Sequence, residues 1–140
     1  MTNLVTSVGS SDAELDQRLN DELDKFNAAA TPDVAQAQEL TVRVEEDGEL
    51  VAGISGWTWG QAAGIGMTWV REDKRGGGVG ASLISAFEEE ARRRGATHVF
   101  VTSFTFQAPA FYQRLGYKEI FRWESVPTSG RDDVHMRKEL

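Results

Sequence analysis

The stretch VREDKRGGGVG, residues 70–80, decides the fold, because it joins a predicted strand to a predicted helix. The strand covers residues 65–70, and Gly66 within it predicts a β-bulge or a close approach of two backbones. The helix that follows repeats apolar side chains at helical spacing, and Gly95 ends it. The apolar positions are Val79, Leu83, Phe87 and Ala91. The glycine-rich loop therefore lies where a strand passes into a helix N-terminus.

An anion-binding role is predicted for this loop from its backbone and its charge. Glycines leave the N–H groups uncovered, and a helix N-terminus carries a partial positive charge that favours anions. Arg71, Lys74 and Arg75 are expected to add positive charge at the same place.

Three interpretations compete for the loop, and the third depends on a second motif that is described below. The first is a flexible turn whose glycines let the helix pack closely on the sheet. A Walker loop is excluded, because no Gly-Lys-Ser/Thr follows. A dinucleotide fingerprint is matched formally by Gly76-x-Gly78-x-x-Ala81, but residues 97–105 lack the acidic residue that it requires further along the chain.

The rest of the chain predicts alternating helices and strands. A weak strand pattern covers residues 3–7, and an amphipathic helix over 11–30 has Ser10 or Ser11 as its cap and Glu14 to close a capping box. Strands at 40–45 and 50–59 flank a tight turn at Asp47-Gly48. A strand at 97–103, a short helix from Pro109 to 115, and strands at 117–123 and 133–139 follow. This order predicts one α/β domain over residues 1–140.

Composition excludes several classes of function. The 140 residues include 15 Lys+Arg and 22 Asp+Glu, for a net charge of −7, so a nucleic acid is a poor partner and an amine-bearing small molecule a better one. Neither a membrane span nor a secretory signal is visible, which predicts a cytoplasmic protein. There is no cysteine, and the two histidines, His98 and His135, have no clustered carboxylates, so no metal is expected.

Two motifs together resemble the GNAT superfamily of N-acetyltransferases. They are Val70 followed by Arg75-x-x-Gly78-x-Gly80, and, about thirty residues later, Ala108-x-x-Phe111-Tyr112-x-x-x-Gly116-Tyr117. The resemblance implies an α/β (α+β) fold, with a mixed, mostly antiparallel central sheet flanked by helices. It also implies a splay between the fourth and fifth strands, here the strands at 65–70 and 97–103. Acetyl-CoA is the implied co-substrate, with no metal.

The resemblance also implies roles for individual residues. The pyrophosphate of CoA would lie on Arg75, Gly76, Gly77, Gly78, Val79 and Gly80. The pantetheine arm would pair with Thr68, Trp69 and Val70, and the Val70 N–H would face the developing oxyanion. Thr105 stands where many members carry a cofactor-contacting asparagine, and Gln107 is a substitute for it. Tyr112 corresponds to the general acid that protonates the leaving thiolate.

The resulting hypothesis is direct acetyl transfer from acetyl-CoA to a primary amine of a small molecule, by a chain that could form a homodimer. A non-catalytic acyl-CoA sensor and a protein N-acetyltransferase are the alternatives. Trp57 and Trp59, together with Phe104 and Phe106, form either an acceptor wall or part of the core. No base can be assigned from the sequence, because the glutamates near the hairpin tip are typical of solvated turn charges. Those glutamates are Glu45, Glu46 and Glu49.

Overall fold

Residues 2–140 are described by a computed structural model, which divides into two units, one ending at Gln36 and the other spanning Ala37–Leu140. The first unit contains helix α1, Ala13–Ala30. Its N-cap is Asp12, whose side chain accepts from Leu15 N–H at 2.9 Å, so the predicted serine cap is wrong. Asp is as good a cap as Ser, and periodicity alone cannot choose between neighbours. The strand expected over residues 3–7 is also wrong, since that segment forms no regular structure.

The second unit is a six-stranded sheet with two α-helices. Its strands are β1 (Gln38–Glu46), β2 (Glu49–Trp59), β3 (Ala62–Val70), β4 (His98–Phe104), β5 (Lys118–Trp123) and β6 (Asp133–Glu139). Its helices are α2 (Val79–Arg93) and α3 (Pro109–Arg114), and a short 3₁₀ turn covers Glu72–Lys74. The predicted hairpin between β1 and β2 is confirmed, with Asp47 and Gly48 both at positive φ.

The strands follow the order β1-β2-β3-β4-β6-β5. Only β3 and β4 among these neighbours run parallel, which confirms the mixed, mostly antiparallel sheet. Side chains alternate between the two faces of each strand. One face of the sheet packs with α2 in the hydrophobic core. From β4 and β6, this face contributes the buried side chains of Val99, Val101, Val134 and Met136.

The predicted splay lies between β3 and β4. Their parallel pairing begins at Ala62↔His98 and ends at Ile65↔Val101, although both strands continue beyond this point. The next residue of β3, Gly66, is the extra residue of a bulge against β2, where the partners change from Gly56↔Ile65 to Ser55↔Met67. A bulge bends and twists its strand. The bulge therefore coincides with the point at which β3 leaves β4.

Helix α2 buries a broader stripe than the sequence predicts. Leu83, Phe87 and Ala91 are buried as expected, and Ile84 and Glu88 join them. Glu88 accepts from the Tyr117 hydroxyl at 2.8 Å and pairs with Lys138 at 3.0 Å. A buried carboxylate needs such partners, because an unpaired charge is costly away from water. The contact ties α2 to the end of α3 and to β6.

The close packing of α2 on the sheet generates a prediction at Gly56. A Cβ added there would lie 2.2 Å from the Gly64 carbonyl oxygen and 2.9 Å from the Phe87 ring. Gly56→Ala should therefore lower the free energy of unfolding by about 1–3 kcal/mol, the usual cost of overpacking. The measurement is equilibrium urea unfolding.

The matched control is Gly77→Ala, since a Cβ at Gly77 meets no atom within 4 Å and its φ is not positive. Its stability should be unchanged or slightly raised. Equal stabilities for the two variants would contradict the packing seen at Gly56.

Candidate active site

A cleft of about 900 Å³ opens at the splay. One wall is β3 from Ile65 to Val70, and the other is the end of β4 with the start of α3. Its lining includes these residues proposed from the sequence: Thr68, Trp69, Val70, Arg75, Gly76, Gly78, Gly80, Gln107 and Tyr112. The two motifs that lie about thirty residues apart in the sequence therefore meet in one cavity.

The glycine loop forms the end of the cleft next to α2. Gly76 and Gly78 have φ values of +80° and +88°, and a Cβ on either would meet no atom within 4 Å. Gly78 is the N-cap of α2 and offers no side chain, so the first N–H groups of the helix are left for a ligand. Gly80 has a different reason to be glycine, because a Cβ there would lie 3.0 Å from the Phe111 ring.

The loop has fewer unpaired cationic side chains than the sequence predicts. Arg71 is held by Asp73 at 2.5 Å and Glu49 at 3.1 Å, and Lys74 by Glu46 at 2.6 Å. The carboxylates at the hairpin tip thus neutralise two of the three expected cations. Arg75 lines the cleft and donates from Nε to the Val70 carbonyl at 2.8 Å. Arg114 lines the cleft as well, and the sequence analysis missed it.

The register of β3 directs backbone N–H groups into the cleft. Arg71 N–H donates to Val51 O, which makes this pair a hydrogen-bonded one. Hydrogen-bonded and non-hydrogen-bonded pairs alternate in an antiparallel ladder. Val70, opposite Ala52, and Thr68, opposite Ile54, therefore turn their N–H groups away from β2. Beyond the end of the β3–β4 pairing, that side of β3 is the cleft.

Tyr112 reaches the cleft from α3 and is only 7% exposed. Its ring packs edge-on against Phe111 and Tyr117, with centroids 5.1 and 5.8 Å away. Burial raises the pKa of the Tyr112 phenol, and the nearby Thr68 hydroxyl opposes that rise in part. The Thr68 Oγ1 is buried near this phenol, but no partner meets the geometry of a full hydrogen bond to it. The cleft therefore contains a fully protonated phenol next to an unsatisfied hydroxyl.

Local hydrogen bonds fix the start of α3. Ser103 Oγ accepts from Ala108 N–H at 3.1 Å, and Gln107 Oε1 accepts from Phe104 N–H at 2.9 Å. Pro109 then opens the helix, where its missing N–H costs nothing. Tyr112 is thereby attached to the end of β4, the strand that forms the second wall of the cleft.

Other predicted site residues lie outside the cleft lining. Gly77 and Val79 are not part of it, and Thr105 is bonded to Asp132 through both its N–H, at 2.9 Å, and its hydroxyl, at 3.1 Å. Trp57 and Trp59 are each 39% exposed and do not line the cleft, whereas Phe106 does. The tryptophans are therefore neither core nor part of this cavity.

Two absences concern residues 2–140, the part of the chain that the structure describes. Across this range, no helix is both long and apolar enough to cross a membrane. Within the same range, no group of three or more His, Asp or Glu side chains is placed to hold a metal ion.

Comparison with known proteins identifies the family. Residues 9–117 match the acetyltransferase (GNAT) family. The chain is 36% identical over 108 residues to blasticidin-S acetyltransferase of Streptomyces morookaense, an alignment that covers 73% of this chain and 79% of that protein. The chain therefore belongs to the GNAT family of acetyltransferases.

Solved structures share the same fold. An acetyltransferase from Bacillus cereus ATCC 14579 is 26% identical with a TM-score of 0.81, covering 96% of this chain and 98% of that chain. An aminoglycoside 6'-N-acetyltransferase, solved in complex with coenzyme A, is 17% identical with a TM-score of 0.67, covering 93% and 95% of the two chains. At that identity the second likeness establishes the fold alone.

The burial of the tyrosines generates a prediction about their ionisation. The chain has two tyrosines, and burial raises the pKa of both Tyr112 and Tyr117 above the ordinary value of about 10. At pH 10 the folded protein should show much less phenolate absorbance than the same chain in guanidinium chloride, where about half of each phenol is ionised. Equal absorbance in the two states would show that both phenols are solvated.

Proposed function

We propose that this protein transfers the acetyl group of acetyl-CoA directly to a primary amine of a small molecule. The observation that carries the proposal is the meeting, in one cleft, of the Val70 N–H, the Tyr112 hydroxyl and the glycine loop at the start of α2. These supply a hydrogen-bond donor, a proton donor and an anion site. Transfer from acetyl-CoA, which carries both a thioester and a pyrophosphate, uses these three groups.

The residues of the cleft fit acetyl-CoA. Its volume of about 900 Å³ lies within the usual range of about 300–1,000 Å³ for cofactor sites. The open space at Gly76 and Gly78 accepts phosphate oxygens next to the helix N-terminus, with Arg75 as the cation beside them. The buried Thr68 hydroxyl has no protein partner and is available to the amide-rich arm. The coenzyme A complex of the aminoglycoside 6'-N-acetyltransferase, which has the same fold, supports this placement.

Val70 and Tyr112 then have roles in the transfer itself. The amine nitrogen forms a bond to the thioester carbon while the carbon–sulfur bond breaks, and negative charge develops first on the oxygen and then on the sulfur. The Val70 N–H stabilises the charge on oxygen. The Tyr112 phenol gives its proton to the sulfur and regains one from solvent. Because burial raises the pKa of Tyr112, the phenol is fully protonated at neutral pH.

A small-molecule acceptor is supported by the relatives and by charge. Blasticidin-S acetyltransferase is named for a small-molecule substrate. The net charge of −7 attracts an amine that is protonated in solution and disfavours an RNA-linked one. Our predictions of a cytoplasmic location, a homodimer and a single domain over residues 1–140 remain part of the proposal, and the family match across 9–117 supports the last.

The experiment that tests the function is thiol release from acetyl-CoA across a panel of primary amines, among them aminonucleosides, aminoglycosides and polyamines. We expect turnover with at least one of them and none when amine is omitted. Tight binding of acetyl-CoA without turnover on any amine would favour a sensor. A thermal shift with NAD but none with CoA would overturn the proposal altogether, because only a ligand that binds the folded state raises the melting temperature.

Gly78 provides a test of the pyrophosphate position. Asp and Asn are nearly equal in size and both tolerate positive φ, so Gly78→Asp and Gly78→Asn differ mainly in charge. Gly78→Asp should bind CoA about 10- to 100-fold more weakly than Gly78→Asn, because a carboxylate would face the phosphates in a partly buried site. Isothermal titration calorimetry measures both. A matched Gly77→Asp variant, outside the cleft lining, should lose much less.

Tyr112→Phe tests the proton donor. The substitution keeps the ring and its packing but removes the hydroxyl, so kcat should fall by about 100-fold while KM for acetyl-CoA changes little. Steady-state kinetics with the best amine of the panel gives both constants. Unchanged kcat would mean that water protonates the thiolate and that Tyr112 has only a structural role.

A further inference from the structure

A histidine and a buried aspartate form a hydrogen-bonded pair on β6. His135 Nε2 lies 3.1 Å from Asp133 Oδ2. Asp133 is 8% exposed, and its other oxygen, Oδ1, is buried with no hydrogen-bond partner. The charge of this carboxylate therefore has His135 as its partner. Such a buried group needs an explanation, because an incompletely satisfied carboxylate destabilises the fold.

The pair lies beside the open end of the splay, on the face of the sheet opposite α2. Val134 and Met136 point into the core, so the alternation of β6 places His135 on the other face. In the sheet, His135 is opposite Thr102 of β4, and Thr102 lines the cleft. Neighbouring strands are about 5 Å apart, so the backbone of His135 is one strand spacing from the cleft edge, although its side chain does not itself line the cleft.

Two aromatic rings hold the imidazole in place. The rings of Phe121 and Trp123 lie edge-on to it, with centroids 5.8 and 5.1 Å away. The His135 side chain keeps 27% of its surface exposed, so solvent reaches the ring. The ring is therefore both fixed and accessible, as a proton acceptor must be.

The hydrogen bond to Asp133 determines which nitrogen is free. A carboxylate only accepts, so Nε2 carries the hydrogen of the neutral imidazole and Nδ1 keeps its lone pair. When Nδ1 takes a proton, the ring becomes positive and the Asp133 carboxylate compensates that charge. The geometry thus prepares His135 to accept one proton.

On the basis of the proposed function, we infer that His135 is the general base of the transfer and that Asp133 positions it. Nδ1 takes the proton that the substrate ammonium must lose before its nitrogen attacks the thioester carbon, and then releases that proton to solvent. The nitrogen loses its second proton to solvent once the bond to carbon has formed. Tyr112 lies in the core cluster on the α2 side, so proton donor and proton acceptor occupy opposite faces of the sheet. This separation suits two protons that move at different atoms, the amine nitrogen and the sulfur.

The charged groups on the same face as His135 lie on three strands. On β6 they are Asp133 and, two residues further along the same face, Arg137, which is paired with Glu139 at 2.5 Å. On β5, Phe121 and Trp123 are uncharged, and Lys118 lies opposite Arg137. On β4, Thr102 is uncharged, and His98 lies at the other end of the strand. Asp133 is therefore the charged group in direct contact with the ring.

The test compares His135→Gln with His98→Gln, a matched control. Both histidines lie on the same face, but His98 stands where β3 and β4 are still paired, opposite Ala62. At pH 7, His135→Gln should lower kcat by about 100-fold with KM for acetyl-CoA nearly unchanged, and His98→Gln should keep wild-type kcat. The loss should shrink as the pH approaches about 10, where solvent removes the proton from an alkyl amine. Asp133→Asn should cause a smaller loss with the same pH trend.

Binding of acetyl-CoA by calorimetry shows whether each variant is folded, and His135→Asn replaces His135→Gln if the latter does not fold. A wild-type rate in a folded His135 variant would overturn the inference while leaving the proposed function intact. So would a loss that is the same at every pH, since that indicates a structural role. A wild type that turns over no amine would overturn the proposed function, and the inference with it.

Discussion

The end of the hydrogen bonding between β3 and β4 is the constraint on which the site depends. Pairing stops after Ile65↔Val101, and the bulge at Gly66 turns β3 away at the next residue. In a continuous sheet, the outward N–H groups of Thr68 and Val70 would be used by β4. Because the strands separate, a ligand can bond to a strand edge in the interior of the sheet.

The elements around this opening are arranged by close contacts. The Phe111 ring packs against Gly80, so α3 meets the first turn of α2 at the end of the cleft. Glu88, bonded to Tyr117 and Lys138, holds α2 to the chain just after α3 and to β6. Tyr112 and the glycine loop are therefore fixed relative to each other by packing, while the ion pairs at the hairpin tip only restrain the loop between β3 and α2.

Much of the fold follows from local chemistry that is visible in the sequence. Asp47-Gly48 predicts a tight hairpin turn, and Gly66 inside an apolar strand predicts a bulge or a close backbone approach, of which the structure shows the bulge. Long-range partners are not visible in this way. Glu88 is one of three consecutive glutamates, a pattern typical of an exposed helix face, yet it is buried because its partner Tyr117 is brought to it only by the fold.

The candidate site shows the same limit. The motifs predict which residues gather at the glycine loop, but not that Glu46 and Glu49 neutralise Lys74 and Arg71, since those contacts cross from the hairpin tip. The partner of His135 was equally hidden, although Asp133 is two residues away, because in a strand that spacing means a shared face only once the strand and its burial are known.

Because successive N–H groups of β3 point in opposite directions, the strand has two populations of amide hydrogens. Those of Met67 and Trp69 are bonded to β2, whereas those of Thr68 and Val70 face the cleft. Alternate hydrogens along β3 should therefore exchange with deuterium at very different rates, although neighbouring residues share the same backbone conformation. A ligand that bonds along the strand would slow only the rapidly exchanging set, so the alternation itself would report occupancy of the cleft residue by residue.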